Sequence, residues 1–194
     1  MLFSSFRGTR LPLAADWYTV ATASIPAVTR MTKNALDPKF LPLLEGRRIA
    51  SLGTVNETGS PHLTAVWYLY QDDCFFVATS SRTRKARNVA VRPTSTLMVE
   101  SRKPGCERGV TATGLVEVIS GAAAKRINER IHRRYLSEAA VADPRVGQVF
   151  AQFDDISLKL QPQEWTWWDM AELDAMVLGG SMANNPSYLL PQEI

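Results

Sequence analysis

Short β-type segments joined by tight turns limit what this chain can fold into. Residues 47–55 and 61–70 are rich in β-branched, aromatic and small side chains, and residues 56–60 between them have hairpin-turn composition. Residues 71–73 form a second tight turn into the segment 74–79. Connections this short join antiparallel neighbours, whereas parallel strands need long crossovers. The first part of the chain is therefore predicted to form an antiparallel meander, and a doubly wound parallel sheet is not expected.

Three further segments complete the predicted sheet. Residues 95–101 form a fourth strand, and residues 110–118 alternate with the period of two that is typical of a half-buried strand. Gly114 in that strand is expected to mark a bend or bulge. Residues 156–160 form a returning strand, which residues 165–168 extend. Six such strands can close into a small barrel. The predicted fold is mainly β, a six-stranded antiparallel barrel with flanking helices.

Three segments around this sheet predict helices. Asp37 and Pro38 are residue types of a helix N-cap and first turn, and Gly46 can end that helix. Residues 124–135 place apolar side chains on one face and basic ones on the other, so we expect the basic side chains to lie in solvent. Residues 143–153 predict another helix before the returning strand.

Length and composition favour one soluble domain. The 194 residues, 45% of them hydrophobic, suit a single domain with a full core. Two cysteines in dissimilar contexts do not resemble a disulfide framework, so a cytoplasmic location is expected. No apolar run approaches the ~20 residues of a membrane helix. Residues 1–36 are interpreted as an ordered N-terminal arm, with Met31 as an alternative start, and residues 37–194 as one barrel domain.

Residues 79–89 carry the most informative chemistry. This segment leaves a strand and enters a short predicted helix, with four cations and no acid. Thr83 can cap the helix, and free backbone amides of the first turn, together with Arg84 and Lys85, can bind a phosphate. A solvated basic turn is the alternative interpretation. The hydroxyl groups that would add donors are those of Thr79, Ser80 and Ser81.

Over about residues 44–168, these features resemble the pyridoxamine 5′-phosphate oxidase-like family of split β-barrel flavoproteins. In that family a strand ends in threonine, and a Ser/Thr-Arg-Lys triplet binds the flavin phosphate. Thr79 and the triplet at residues 83–85 match this pattern, and residues 61–67 resemble the strand that lines the isoalloxazine ring. The resemblance implies an FMN-binding split β-barrel with cofactor contacts from His62, Thr64, Val66, Trp67, Thr79, Ser80, Thr83, Arg84, Lys85 and Asn88.

The C-terminal segment departs from true pyridoxamine phosphate oxidases. Those enzymes end in an Arg-Leu-His-Asp-Arg-like segment that binds substrate phosphate and flavin, whereas residues 165–169 here read Trp-Thr-Trp-Trp-Asp and no arginine follows. Vitamin salvage is therefore not expected. Aromatic clusters at a strand end usually pack in a core or a dimer interface, and some stack on a ligand ring. Trp167 and Asp169 are the candidates to reach a partner subunit's cofactor.

The resemblance implies an FMN-dependent oxidoreductase that acts as a homodimer on a small organic substrate, possible electron donors being NADH and NADPH. FMN would carry the redox chemistry, so no catalytic side chain is assigned. One alternative is a deazaflavin-dependent reductase, in which the cations of residues 82–92 would bind a longer acidic tail. The other is a non-catalytic flavin- or haem-binding protein, with His62 as the axial ligand.

Other chemistries lack their sequence patterns. No Ser-His-Asp or Cys-His arrangement is visible. His62, Cys74, Cys106 and His132 are scattered without the spacing of metal ligands, so no metal site is predicted. The net charge of +3 selects no partner by itself. The basic helix lacks interleaved aromatic residues, so no nucleic-acid binding is expected.

Overall fold

The computed structural model describes residues 35–105 and 107–190. The predicted arm lies outside the described residues up to residue 34, as do Met31 and Cys106. Within the described part, no helix is both long and apolar enough to cross a membrane.

The strands in the described part of the chain are β1 (Ala50–Val55), β2 (Pro61–Val66), β3 (Leu69–Gln71), β4 (Cys74–Thr79), β5 (Thr94–Ser101), β6 (Arg108–Ser120) and β7 (Ile156–Asp169). They form one antiparallel sheet with the order β2-β1-β5-β6-β7-β4-β3. The mainly β antiparallel fold is confirmed, with seven strands where six were predicted. β7 continues through the tryptophans, as expected.

The additional strand arises because the predicted second strand is interrupted at Trp67 and Tyr68. These two residues connect β2 at one edge of the sheet to β3 at the other. Such a connection spans at most about 11 Å, so the two edges lie close together and the sheet curves into a barrel. Tyr68 is fully buried, and its hydroxyl donates to the Leu44 carbonyl oxygen at 2.8 Å. That hydrogen bond satisfies the buried hydroxyl at the point where the chain changes edges.

Two turns and one bulge set the register of the strands. Asp72 and Asp73 both have positive φ, 49° and 54°, as a two-residue hairpin turn between β3 and β4 requires. The ladder of β6 and β7 shifts register between Thr113 and Gly114, which confirms the predicted bulge. A Cβ atom at Gly114 would overlap the backbone carbonyl of Gln161. Only glycine therefore allows the two strands to approach here.

Helices flank the strands in the described part of the chain. They are α1 (Leu41–Glu45), α2 (Arg84–Val91), α3 (Gly121–Tyr135), α4 (Glu138–Ala142), α5 (Val149–Phe153), α6 (Met170–Val177) and α7 (Ser181–Asn184). A 3₁₀ turn (Pro38–Phe40) precedes α1, and the Asp37 carboxylate accepts from the Lys39 amide at 3.1 Å, which confirms the predicted start. A π-helical turn (Pro144–Gln148) precedes α5, and a 3₁₀ turn (Pro186–Tyr188) follows α7.

α3 buries part of the predicted apolar face, including Ala124 and Ile131. Its basic side chains are not all solvated, however. Arg134 donates to the carbonyl oxygens of Glu45 and Gly46, each at 2.6 Å. The last carbonyls of a helix have no intrahelical donor and carry partial negative charge, so a guanidinium group satisfies them well. Arg134 thereby attaches the end of α3 to the end of α1.

Replacing Gly114 by Ala is expected to destabilise the protein by about 1–3 kcal/mol, because the added methyl group forces β6 and β7 apart. Urea denaturation measures the free energy of unfolding. Gly53→Ala is the matched control, since a Cβ atom there would lie 3.5 Å from its nearest neighbour, the Thr96 carbonyl oxygen. Equal losses in the two variants would contradict the close approach at Gly114.

Arg134→Met should lower the free energy of unfolding by about 2 kcal/mol, since it leaves charge-assisted bonds to helix-end carbonyls unmade. Arg130→Met is the control, because Arg130 is exposed on the same helix. Its effect should remain within about 0.5 kcal/mol. Chemical denaturation of both variants tests the difference, and similar losses would show that the Arg134 contacts contribute nothing.

Candidate functional site

A cavity of about 440 Å³ lies among residues of β2, β4, α2 and α5. We call it the Lys85 cavity, after the one basic residue in its lining. Phe150 and Phe153 contribute aromatic surface, and Asp154 is the one acidic residue that lines it. Because β2 and β4 are distant in the order of the sheet, only the closed barrel brings them to one cavity. The predicted site residues that line it are Val66, Trp67, Thr79, Ser80, Thr83 and Lys85.

The turn between β4 and α2 is held by its own hydroxyl groups. Thr83 is the N-cap of α2, as predicted, and its Oγ1 accepts from the Ala86 amide at 3.4 Å. The same hydroxyl donates to the Ser80 carbonyl oxygen at 2.8 Å and lies 3.2 Å from Oγ1 of Thr79. These contacts use the Thr83 hydroxyl and the Ala86 amide within the turn. The Ser80 hydroxyl, which accepts from the Arg82 amide at 3.2 Å, and the Lys85 ammonium are side-chain donors of the cavity lining, beside the first-turn amides that precede Ala86.

The outer side of this turn is attached to the segment before β7. The Asp155 carboxylate accepts from the Ser81 amide at 2.7 Å and from the Ser81 hydroxyl at 2.6 Å. The hydrogen bond from the hydroxyl holds the pKa of Asp155 below its usual value. Ser81 is therefore a structural residue of the turn.

Lys85 is a half-buried cation without a close counter-ion. Burial lowers the pKa of its ammonium group, and the carboxylate of Asp154 opposes part of that shift. No acid of the described residues lies within ion-pair distance of Lys85. A partly desolvated, unpaired cation gains strongly from an anionic ligand.

Arg84 lines a different cavity from Lys85. A space of about 720 Å³, which we call the Arg84 cavity, is lined by Arg84, Arg87 and Arg92 of the α2 region and by the β1–β2 hairpin. Successive residues of a helix point about 100° apart, so neighbours in the triplet face different spaces. Asn88 also lines the Arg84 cavity, and its amide donates to Thr54 Oγ1 at 2.9 Å.

The comparisons with known proteins agree with this geometry. A sequence model described as pyridoxamine 5′-phosphate oxidase matches residues 36–169. The chain belongs to this family. The predicted family membership is thus confirmed, and the match ends where β7 ends, before α6. Among curated proteins, none matches the sequence.

Solved structures show the same family fold in proteins with different names. A conserved hypothetical protein from Mycobacterium tuberculosis has a TM-score of 0.60 and 21% identity, covering 82% of this chain and 92% of its own. An F420 reductase has a TM-score of 0.54 and 22% identity, covering 68% and 98%. The haem storage protein from Vibrio cholerae has a TM-score of 0.52 and 17% identity, covering 69% and 94%. At these identities the likeness shows the fold alone.

Trp67, His62 and Thr64 were predicted to line the flavin ring, and the structure places them in different surroundings. Trp67 stands between two rings, with Tyr135 at a centroid distance of 5.0 Å and Phe150 at 5.3 Å, both stacked. These contacts engage the indole within the protein, although Trp67 also lines the Lys85 cavity. His62 and Thr64, earlier on β2, do not line either cavity. Their contact with a cofactor stays a prediction.

The C-terminal candidates lie away from both cavities. Trp165 is buried in the barrel core, and the Trp167 ring lies 5.8 Å from that of Phe40. Asp169 caps α6 by accepting from the Ala171 amide at 3.0 Å. Packing thus accounts for the tryptophan cluster within the subunit. That Trp167 and Asp169 reach a partner subunit's cofactor stays a prediction.

Sequence reasoning missed a partly buried acid and a buried imidazole at the Lys85 cavity. Nε2 of His132 on α3 lies 2.8 Å from Oδ2 of Asp154, which lines the cavity. The His132 ring also contacts Phe150, at a centroid distance of 5.3 Å. The one available signal was the position of His132, one turn beyond Asn128 on the buried face of α3. Its partner lies 22 residues away, and only packing of α3 against α5 and β7 brings the two together.

Proposed function

We propose that the protein is an oxidoreductase that binds FMN in the Lys85 cavity. The observation that carries the proposal is the half-buried, unpaired ammonium of Lys85 beside the first turn of α2. Lys85 and the first-turn amides would bind the phosphate, because both supply donors and positive potential. The aromatic edge of Trp67 and the end of β2 would line the space for the ring.

The chain's own residues supply placement and electrostatics in this proposal. FMN, when bound, would supply the transfer of electrons between NAD(P)H or a small organic substrate and an acceptor. The apolar side chains of Ile49, Phe150 and Phe153 in the cavity lining would exclude water. A cytoplasmic location belongs to the same proposal. Reduction of bound FMN by NADH or NADPH would distinguish this enzyme from a protein that only carries its cofactor.

A deazaflavin coenzyme is the second candidate, because the Arg84 cavity supplies a second space with basic side chains from α2. Arg84, Arg87 and Arg92 outnumber its one acid, Glu57, and would attract a longer acidic tail. Arg92 is partly engaged, since its guanidinium donates to the Glu57 carbonyl oxygen at 3.1 Å. A haem-binding function is less supported, because His62 does not line the Lys85 cavity.

Single substitutions in the triplet separate these candidates. Lys85→Ala should raise the Kd of FMN roughly 10- to 100-fold, since it removes charge-assisted hydrogen bonds. Arg84→Ala should change FMN binding little, because Arg84 faces the other cavity. For the deazaflavin both variants should bind more weakly. Fluorescence titration with each coenzyme measures these affinities.

Unchanged FMN affinity in Lys85→Ala would reject the phosphate assignment. Arg130→Ala provides the control for loss of a positive charge, because Arg130 lies on α3 and lines neither cavity. Its affinity for both coenzymes should equal that of the native protein. A loss in Arg130→Ala as large as in Lys85→Ala would show that overall charge controls binding.

We also propose that two subunits pair through the outer face of β1 and β2 beside the Lys85 cavity. Leu63 on β2 is 70% exposed, and it pairs across the ladder with Gly53, which leaves its apolar side chain uncovered. Ile49, which lines the cavity, is 53% exposed. A second subunit on this face would bury both and complete the cavity wall.

Leu63→Lys should convert the dimer to a monomer, because a partner would bury the introduced charge without a counter-ion. Val91→Lys is the matched control, since Val91 on α2 is also 70% exposed and lies outside the proposed interface. Sedimentation velocity of both variants and of the native protein gives the oligomeric state. Dimers in Leu63→Lys would place the interface elsewhere.

A further inference from the structure

Two opposite charges share the lining of the Lys85 cavity. Lys85 enters from α2 and Asp154 from the segment after α5, and they are the charged side chains of that lining. The carboxylate is close enough to raise the pKa of Lys85 against the effect of burial. An anion that binds at Lys85 is attracted by the ammonium and repelled by the carboxylate. Asp154 thus opposes the ligand that Lys85 favours.

A positive charge on His132 would offset the repulsion between Asp154 and the anion. Its Nε2 lies 2.8 Å from Oδ2 of Asp154, and its ring is buried. With a neutral imidazole the His132–Asp154 pair carries one negative charge, and with an imidazolium it carries none. Imidazole is the side chain that ordinarily changes charge between about pH 5 and 8. The charge that faces Lys85 therefore depends on one proton.

A second, smaller space lies between this pair and other residues of α3. It measures about 160 Å³, and His132 and Asp154 both line it. The other charged groups that face His132 there are Lys125 and Glu129, both on exposed positions of α3. Carboxylates and ammonium groups ordinarily keep their charge between about pH 5.5 and 7.5.

We propose that binding of an anionic ligand at Lys85 is coupled to uptake of one proton by the His132–Asp154 pair. The inference rests on the proposed binding of FMN phosphate at Lys85. The anion favours the protonated pair because that pair no longer repels it, and by linkage protonation strengthens anion binding. His132 acts as a positioning and charge-setting residue, and it touches the cavity through Asp154. Because of this coupling, the affinity for the anionic ligand at low pH is higher than Lys85 alone would give.

Fluorescence titrations with FMN at about pH 5.5, 6.5 and 7.5 test the coupling. Asp154→Asn keeps a hydrogen-bonding side chain for His132 but removes the charge, so it should bind FMN roughly tenfold tighter than the native protein at the highest pH. At the lowest pH a protonated His132 adds one positive charge in both proteins, so Asp154→Asn should still bind FMN more tightly than the native protein. The FMN phosphate itself takes up a proton in this range, so the pH dependence is judged against His132→Gln at equal pH.

Two further variants, His132→Gln and its control Glu129→Gln, test the role of the His132 proton. The glutamine at position 132 can donate to Asp154 but cannot take up a proton, so relative to the native protein this variant should lose affinity at low pH only. Glu129→Gln, which lines the smaller space but not the Lys85 cavity, should follow the native protein at every pH. If Asp154→Asn did not fold, the pH dependence of His132→Gln would test the coupling by itself.

Two results would overturn the coupling. One is weaker FMN binding in Asp154→Asn, and the other is a ratio of the native affinity to that of His132→Gln that stays constant across the pH range. Both leave the phosphate assignment intact if Lys85→Ala still weakens FMN binding. Loss of the Lys85 effect, by contrast, would reject the proposed function itself.

Discussion

The two-residue connection at Trp67 and Tyr68 is the constraint on which the rest of the structure depends. It joins the first edge of the sheet to the last, so the sheet must curve until those edges meet. Burial of Tyr68, with its hydroxyl on the Leu44 carbonyl oxygen, holds the connection against α1. The Lys85 cavity exists because this closure brings the end of β2 beside the end of β4.

Electrostatics around the cavity follow from that geometry. The hydroxyls of the β4–α2 turn satisfy one another, and Asp155 holds the turn from outside. Lys85 is left partly desolvated without a close counter-ion, a costly arrangement in the absence of an anion. Asp154, the nearest acid in the lining, is already bound to His132. The cavity thus places one positive and one negative side chain in the same lining.

Family membership and function rest on different parts of the molecule. The family match spans residues 36–169, which contain all seven described strands, and solved structures with related folds include an F420 reductase and a haem storage protein. A shared fold of this kind leaves the ligand open, since function depends on the side chains of the site. Here Arg84 and Lys85 line different cavities, and the two proposed coenzymes differ in which of these side chains they would need.

The sequence by itself determined the local features of this protein. The turn residues, the caps at Asp37 and Thr83, the bulge at Gly114 and the alternating strands follow from neighbours along the chain, so their patterns were sufficient. The family resemblance came from the same kind of short-range pattern, the basic turn after β4.

Only the tertiary structure decided how distant segments meet. The break at Trp67 and Tyr68, the stacking of Trp67 between Tyr135 and Phe150, and the pairing of His132 with Asp154 join residues that no short pattern relates. Arg134, basic on an amphipathic helix, looked like a solvated side chain until α1 was placed beside it. These contacts depend on closure of the barrel and on the packing of helices against it, both of which are long-range.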